Sequence, residues 1–173
     1  MTRTLLILRH AKAAVASVGN GDIDRPLADR GHQQMAVMGP EIVGTGLVPD
    51  RILCSSALRT RETLEDFVPA LPALVPVTLS RAVYESGADV LLSLIPEAAG
   101  DATSLMVIGH NPTMHELALG LAARGEPRLL KELREKFPTA AFAAIAFDVD
   151  EWTAIRPGEG RLLAFLTSKG LED

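Results

Sequence analysis

The sequence predicts a layered α/β domain, and three observations carry that prediction. Short unbroken apolar runs, Leu5-Leu6-Ile7-Leu8 and later Leu105-Met106-Val107-Ile108, have the length and composition of strands buried on both faces, as in a parallel sheet. Segments with apolar residues at helical spacing alternate with such runs along the chain. At 173 residues, 47% of them apolar but only 4% aromatic, the chain can bury one core of Leu, Val, Ile, Ala and Met, so residues 1–173 read as one domain.

The first strand, beginning at Thr4, runs directly into Arg9-His10. In open α/β sheets the crevice at the strands' carboxyl ends is where ligands bind. Residues 11–28 lack a clear period and are punctuated by Gly19-Asn20-Gly21-Asp22 and Arg25-Pro26, which predicts a loop over that strand end. A helix starts near Asp29, with Met35, Met38, Ile42 and Val43 on one face, and Gly39-Pro40 predicts a kink or two short helices. Residues 51–54 form a second strand, 57–68 a helix and 75–79 a third strand. Val90, Leu91, Leu94, Ile95 and Ala98 make another apolar helical face, strained or ended early by Pro96. The strand over 104–109 leads into a helix over 111–124. A charged stretch, 128–136, reads as a helical excursion, and 142–147 and 162–167 are late strands with Pro157-Gly158 turning the chain between them.

Composition removes several function classes. The net charge of −5 comes without a basic block, which argues against a nucleic-acid groove. Cys54 is the sole cysteine and cannot form an internal disulfide; with four histidines it gives no zinc spacing, so no metal site is expected. No apolar run approaches membrane-spanning length, and Arg9, His10 and Lys12 cut short the one stretch that could mimic a signal peptide. A soluble cytoplasmic protein is the expectation.

Three strand-to-helix junctions carry the candidate chemistry. The first ends in Arg9, a planar fork of donors suited to phosphate or carboxylate, and His10, whose neutral imidazole can attack, shuttle a proton or bind metal. The second is Cys54-Ser55-Ser56-Ala57-Leu58-Arg59-Thr60, where either serine can cap the next helix and Arg59 falls in its first turn. A cation there opposes the helix dipole unless an anion nearby offsets both. The third is Gly109-His110-Asn111-Pro112, with Asn111 suited to cap a helix and Pro112 to open it, so His110 lies just outside an anion-attracting helix terminus. Each has an ordinary reading as polar residues at a sheet rim; two arginines and two histidines at strand carboxyl ends favour a phosphate site. Cysteine-dependent phosphatases, which need five residues between cysteine and arginine, are eliminated, because Thr60 holds that position after Cys54. His32 and His115 read as helix-surface residues, and Asp22 and Asp24 as shaping the loop over the site, with steering of substrate as the alternative.

Taken in order, Arg9-His10, Arg59 within residues 55–63, and residues 109–112 resemble the histidine phosphatase superfamily, which also contains the cofactor-dependent phosphoglycerate mutases. The short chain, Asp24-Arg25-Pro26-Leu27 followed by Gly31, and Tyr84-Glu85 look like its SixA-type phosphohistidine phosphatase branch. The resemblance implies a three-layer α/β/α sandwich with a mostly parallel central sheet, the phosphoglycerate mutase-like fold. It implies His10 as a nucleophile passing through a phosphohistidine intermediate, with Arg9, Arg59 and His110 holding the phosphoryl group; Ser55 and Asn111 are weaker candidates for that task. No cofactor is implied, and the partner is a phosphohistidine protein or a small phosphate ester. Glu85 matches the position of the acid that serves ester-cleaving members, and reads equally as an ordinary loop glutamate. Ala11 stands where the family usually has glycine, and would be strained if that position needed positive φ. Two other functions stay open on the sequence: a small-molecule phosphomonoesterase using Glu85, and a non-catalytic phosphate-binding module. Oligomeric state is not legible.

Overall fold

The computed structural model describes residues 1–169. The elements run β1 (Arg3–Arg9), α1 (Asp29–Gly44), β2 (Arg51–Ser55), α2 (Leu58–Phe67), β3 (Val77–Ser80), α3 (Arg81–Glu85), α4 (Ala88–Ala99), β4 (Ser104–Gly109), α5 (Thr113–Leu121), β5 (Ala122–Gly125), α6 (Pro127–Glu135), β6 (Phe142–Phe147) and β7 (Gly160–Leu166), with 3-10 turns at Asp22–Asp24, Val68–Ala70 and Trp152–Ala154. The strands form one sheet in the order β3-β2-β4-β1-β6-β7-β5. β3, β2, β4 and β1 pair in parallel; β6 runs antiparallel to β1 and β7, and β5 returns parallel to β7. The mostly parallel sheet expected from the resemblance is therefore present.

Alternation along β1 divides the core in two. Leu5 and Ile7 pack with Leu91, Ile95, Met114 and Leu133, on the face covered by α4, α5 and α6. Leu6 and Leu8 pack with Met35, Met38, Ile42 and Phe67, on the face covered by α1 and α2. Successive side chains of a strand point to opposite faces, so a run apolar throughout needs helices on both sides. No helix among the described residues is long and apolar enough to cross a membrane.

Three local expectations are corrected. α1 is one helix through Pro40 rather than two short ones. Pro40 and Ala36, whose carbonyl would have taken the missing N–H, are both exposed, so that carbonyl is open to water and the helix need not break. The helix expected over 111–124 is α5 followed at once by β5, an edge strand lacking any apolar run. The residue capping α5 is Pro112 rather than Asn111, and the one capping α2 is Ala57 rather than a serine.

The register sets the site. Arg9 pairs with Gly109 across β1 and β4, and Cys54 with Ile108 across β2 and β4. Arg9, Gly109 and Ser55 thus finish at one level on three adjacent parallel strands. Whatever follows them emerges side by side.

Candidate active site

His10 and His110 each continue from one of those paired residues, and the His10 N–H donates to the Gly109 carbonyl at 3.0 Å. Their ring centroids lie 5.3 Å apart, at an interplanar angle of 55°. The His10 side chain is almost wholly buried, and its Nδ1 lies 2.7 Å from the Ala11 carbonyl oxygen. A carbonyl only accepts, so Nδ1 carries the proton and Nε2 keeps its lone pair. Burial holds the His10 pKa down to about 3; the bond to Ala11 works against this, and His110, Arg59 and Arg9 add to the lowering. The ring is neutral at physiological pH, and burial contributes more to that than the neighbouring arginines do.

The segment carrying His10 is tied down on both sides. The Ala11 N–H donates to Thr63 Oγ1 on α2 at 3.0 Å, and the Thr63 hydroxyl donates to the Arg59 carbonyl. The Lys12 N–H donates to Gln34 Oε1 on α1, and Gln34 Nε2 donates to Thr139 Oγ1. The His10 carbonyl accepts from Ala140 N at 3.1 Å. Gly31 lies so close that a Cβ there would collide with the Lys12 carbonyl oxygen, which accounts for glycine at that place. Ala140, at φ 61°, is the one non-glycine residue among the described residues with positive φ. Ala11 is therefore unstrained, and the sequence's departure from glycine costs the loop nothing in backbone geometry.

Arg59 stands in the first turn of α2, 6% exposed. Its two terminal nitrogens donate to Asp22, Nη1 to the main-chain carbonyl at 2.7 Å and Nη2 to Oδ2 at 3.0 Å. The anion that the sequence required beside a cation at a helix N-terminus is, in this structure, Asp22. Tyr84 stacks edge-on against His110 with centroids 5.5 Å apart, lies 5.9 Å from the Arg59 guanidinium carbon, and donates its hydroxyl to Asp22 Oδ2 at 2.8 Å. Arg9 donates Nη1 to the Phe137 carbonyl at 3.1 Å, and its charge reaches both histidines.

His110 is held down at about 4, first by burial and then by Arg59, against an upward pull from Asp22. Its Nε2 lies 2.7 Å from Ser55 Oγ, which also accepts the Ala57 N–H. Its Nδ1 is buried with no partner among the described residues. Of the seven residues singled out from sequence, His10, His110, Arg59 and Arg9 gather here, with Ser55 behind His110. Asn111 turns its amide nitrogen to the Phe137 carbonyl at 2.7 Å and its oxygen to the His115 N–H, so it fastens the 137 loop. Glu85 is more than half exposed and pairs with Arg81 at 2.7 Å. Cys54 is buried with its thiol pushed up to about 12, an inert group.

Sequence reasoning undervalued Asp22, Tyr84 and Thr63. Thr63 was visible in principle, since it lies one helical turn after Arg59 and so on the same face. His32 is a surface residue as expected, paired with Asp66 across α1 and α2, whereas His115 is half-buried and bridges to the Leu133 carbonyl of α6.

The arrangement sets a neutral, oriented imidazole beside a second neutral imidazole, with Arg59 and Arg9 close enough to act on both rings. Comparisons with known proteins agree. Residues 5–91 match the family model of the histidine phosphatase superfamily (branch 1). An uncharacterized protein of Mycobacterium tuberculosis (strain H37Rv) is 31% identical over 160 residues, covering 91% of this chain and 98% of the relative. The solved structure of a candidate phosphohistidine phosphatase SixA from Agrobacterium tumefaciens superposes with a TM-score of 0.78 at 30% identity, covering 95% of this chain and 97% of that one. Another of the same description, from Nakamurella multipartitia, gives a TM-score of 0.82 at 27% identity, with 96% of each chain covered. With its sheet register, paired histidines and flanking arginines, this chain belongs to the histidine phosphatase superfamily, branch 1, as a phosphatase of SixA type.

Proposed function

We propose that the protein removes the phosphoryl group from phosphohistidine on a protein partner, by way of a phosphohistidine intermediate on its own His10 and without a metal. The observation that carries this is the Nδ1 contact of His10 with the Ala11 carbonyl, which leaves Nε2 as the nucleophilic atom in a ring kept neutral by burial. Nε2 attacks phosphorus as the bond to the leaving nitrogen breaks; water then hydrolyses the phosphorylated His10. Arg9, Arg59 and His110 stabilise the equatorial oxygens, the two guanidinium groups supplying the positive charge that phosphoryl transfer needs.

Support for a nitrogen leaving group comes from Glu85. Its carboxylate is paired with Arg81 at the surface, away from the histidine pair's own hydrogen bonds. An ester's alkoxide needs a proton as it departs, whereas an imidazole already protonated on its other nitrogen does not. The likeness to proteins described as SixA supports the same substrate class.

The test compares a phosphohistidine protein with a panel of small phosphate esters in chelator, with His10→Ala as control. The proposal expects faster turnover of the phosphohistidine protein, activity in chelator, and loss of at least about two orders of magnitude in the variant. Preference for a small ester that depends on Glu85 would establish the phosphomonoesterase reading instead. Phosphate binding without turnover would establish a binding module.

A further inference from the structure

A carboxylate within a phosphate site calls for an explanation, because it repels the dianion the site should attract. Asp22 is such a group. Oδ2 accepts from Arg59 Nη2 at 3.0 Å and from the Tyr84 hydroxyl at 2.8 Å, and Oδ1 accepts from Arg25 Nη1 at 3.0 Å. The carboxylate is thus gripped by three donors from three parts of the chain. Its side chain is 50% exposed while that of Arg59 is 8% exposed, so the carboxylate sits on the solvent side of the guanidinium, at the mouth of the site.

Loop bracing alone is a poor reason for a charge here. The loop over 11–28 is already held by the Ala13–Leu27 bridge, the Leu27 N–H on Glu62, and the Asp22 main-chain carbonyl on Arg59. Nor is Asp22 built to donate a proton. The Tyr84 hydroxyl, followed by Arg59, holds its carboxyl below the usual carboxylate range, so it stays an acceptor. Each terminal nitrogen of Arg59 has a second N–H beyond the one given to Asp22. Arg59 can therefore hold a phosphoryl oxygen and Asp22 together, leaving the carboxylate beside the bound group.

A fixed acceptor at the mouth has opposite effects on two kinds of leaving group. It opposes an alkoxide or phenolate, on which negative charge grows. It favours a protonated nitrogen heterocycle, whose remaining N–H can donate to it. We infer that Asp22 is the residue that selects the leaving group, accepting the free ring N–H of a phosphorylated imidazole and so biasing the enzyme toward phosphoramidates over phosphate esters. The inference rests on the His10 reading above. In the step it describes, the His10 Nε2–P bond forms and the P–N bond breaks. The electron pair stays on the departing nitrogen, and the ring proton stays on the other nitrogen, against Asp22.

The experiment measures kcat/KM for N-phosphorylimidazole and for p-nitrophenyl phosphate in the wild type, Asp22→Asn and Tyr84→Phe, with tungstate affinity alongside. Asp22→Asn keeps an acceptor for Tyr84 and the main-chain contact with Arg59 while removing the charge. Loss of a charge-assisted hydrogen bond lowers phosphorylimidazole turnover by about tenfold or more. Aryl ester turnover holds or rises, and tungstate binds more tightly because a repelling charge has gone. Tyr84→Phe keeps the charge but loosens it, and moves the substrate ratio in the same direction by less. An unchanged ratio in Asp22→Asn, or an equal fall for both substrates, with the wild type active on phosphorylimidazole, overturns the role of Asp22 alone. A wild type that cleaves only the aryl ester overturns that role and the phosphohistidine reading together.

Discussion

Exchanging His10 for glutamine should flatten the acid sensitivity of the fold, and the size of the effect follows from the ring's burial. The histidine ordinarily titrates at 6.5 and here is held to about 3. Between those values the unfolded chain binds a proton that the folded chain refuses. Stability therefore rises with pH through that window and falls on acidification. From pH 6.5 to 5 is 1.5 pH units at roughly 1.36 kcal/mol each, so His10 alone removes about 2 kcal/mol of stability. Glutamine does not titrate, and its amide can donate to the Ala11 carbonyl in place of Nδ1. The assay is denaturant unfolding of both proteins at pH 7 and at pH 5. Whatever glutamine costs at pH 7 cancels, as do the contributions of every other titrating group outside the site. The wild type should lose about 2 kcal/mol more than the variant over that interval, a large part of a typical domain's stability. Equal losses would mean that His10 titrates near its ordinary value, and the neutral buried nucleophile would have to be abandoned.

Three other perturbations test the frame around the ring. Gly31→Ala forces the Lys12 carbonyl away and with it the segment carrying His10, so phosphatase kcat should drop by about tenfold or more, since small misplacements of reacting groups are costly. Ser55→Ala strips the partner from His110 Nε2 and the acceptor from the Ala57 N–H; steady-state kinetics should show kcat falling by about tenfold, with His110 still present but unanchored. Ala11→Gly and Ala140→Gly remove the same methyl from two fully buried positions, but only Ala140 has positive φ. Thermal or denaturant unfolding should find Ala140→Gly less destabilising by about 1 kcal/mol, because glycine relieves left-handed strain there alone.

The part of the site legible in the sequence is the part fixed by strand register. Leu5 to Leu8 and Leu105 to Ile108 are apolar on both faces, so they must be central strands, and residues that follow central parallel strands leave at the same edge. Arg9, His10, Arg59 and His110 all inherit their places from that rule. The same reasoning failed at β5, where Ala122-Ala123-Arg124-Gly125 has no strand pattern of its own and pairs only because β7 offers it an edge. The split into two helices at Pro40 does not occur because a proline on the wet face of a helix leaves its orphaned carbonyl open to water.

The partners of Asp22 were out of reach for a different reason. Gly19-Asn20-Gly21-Asp22 announces a turn, and a turn does not disclose what its carboxylate meets. The partner lies 37 residues on, brought close only because α2 starts where β2 stops and Glu62 and Thr63 hold the two ends of the loop beneath it. Strand ends are placed by the sheet, which is written in apolar periodicity; loop carboxylates are placed by side-chain hydrogen bonds, which have no period. The residues proposed to carry out phosphoryl transfer belong to the first group. Asp22, the residue inferred to discriminate among leaving groups, belongs to the second, and can change partner by altering a few loop positions while the sheet stays as it is.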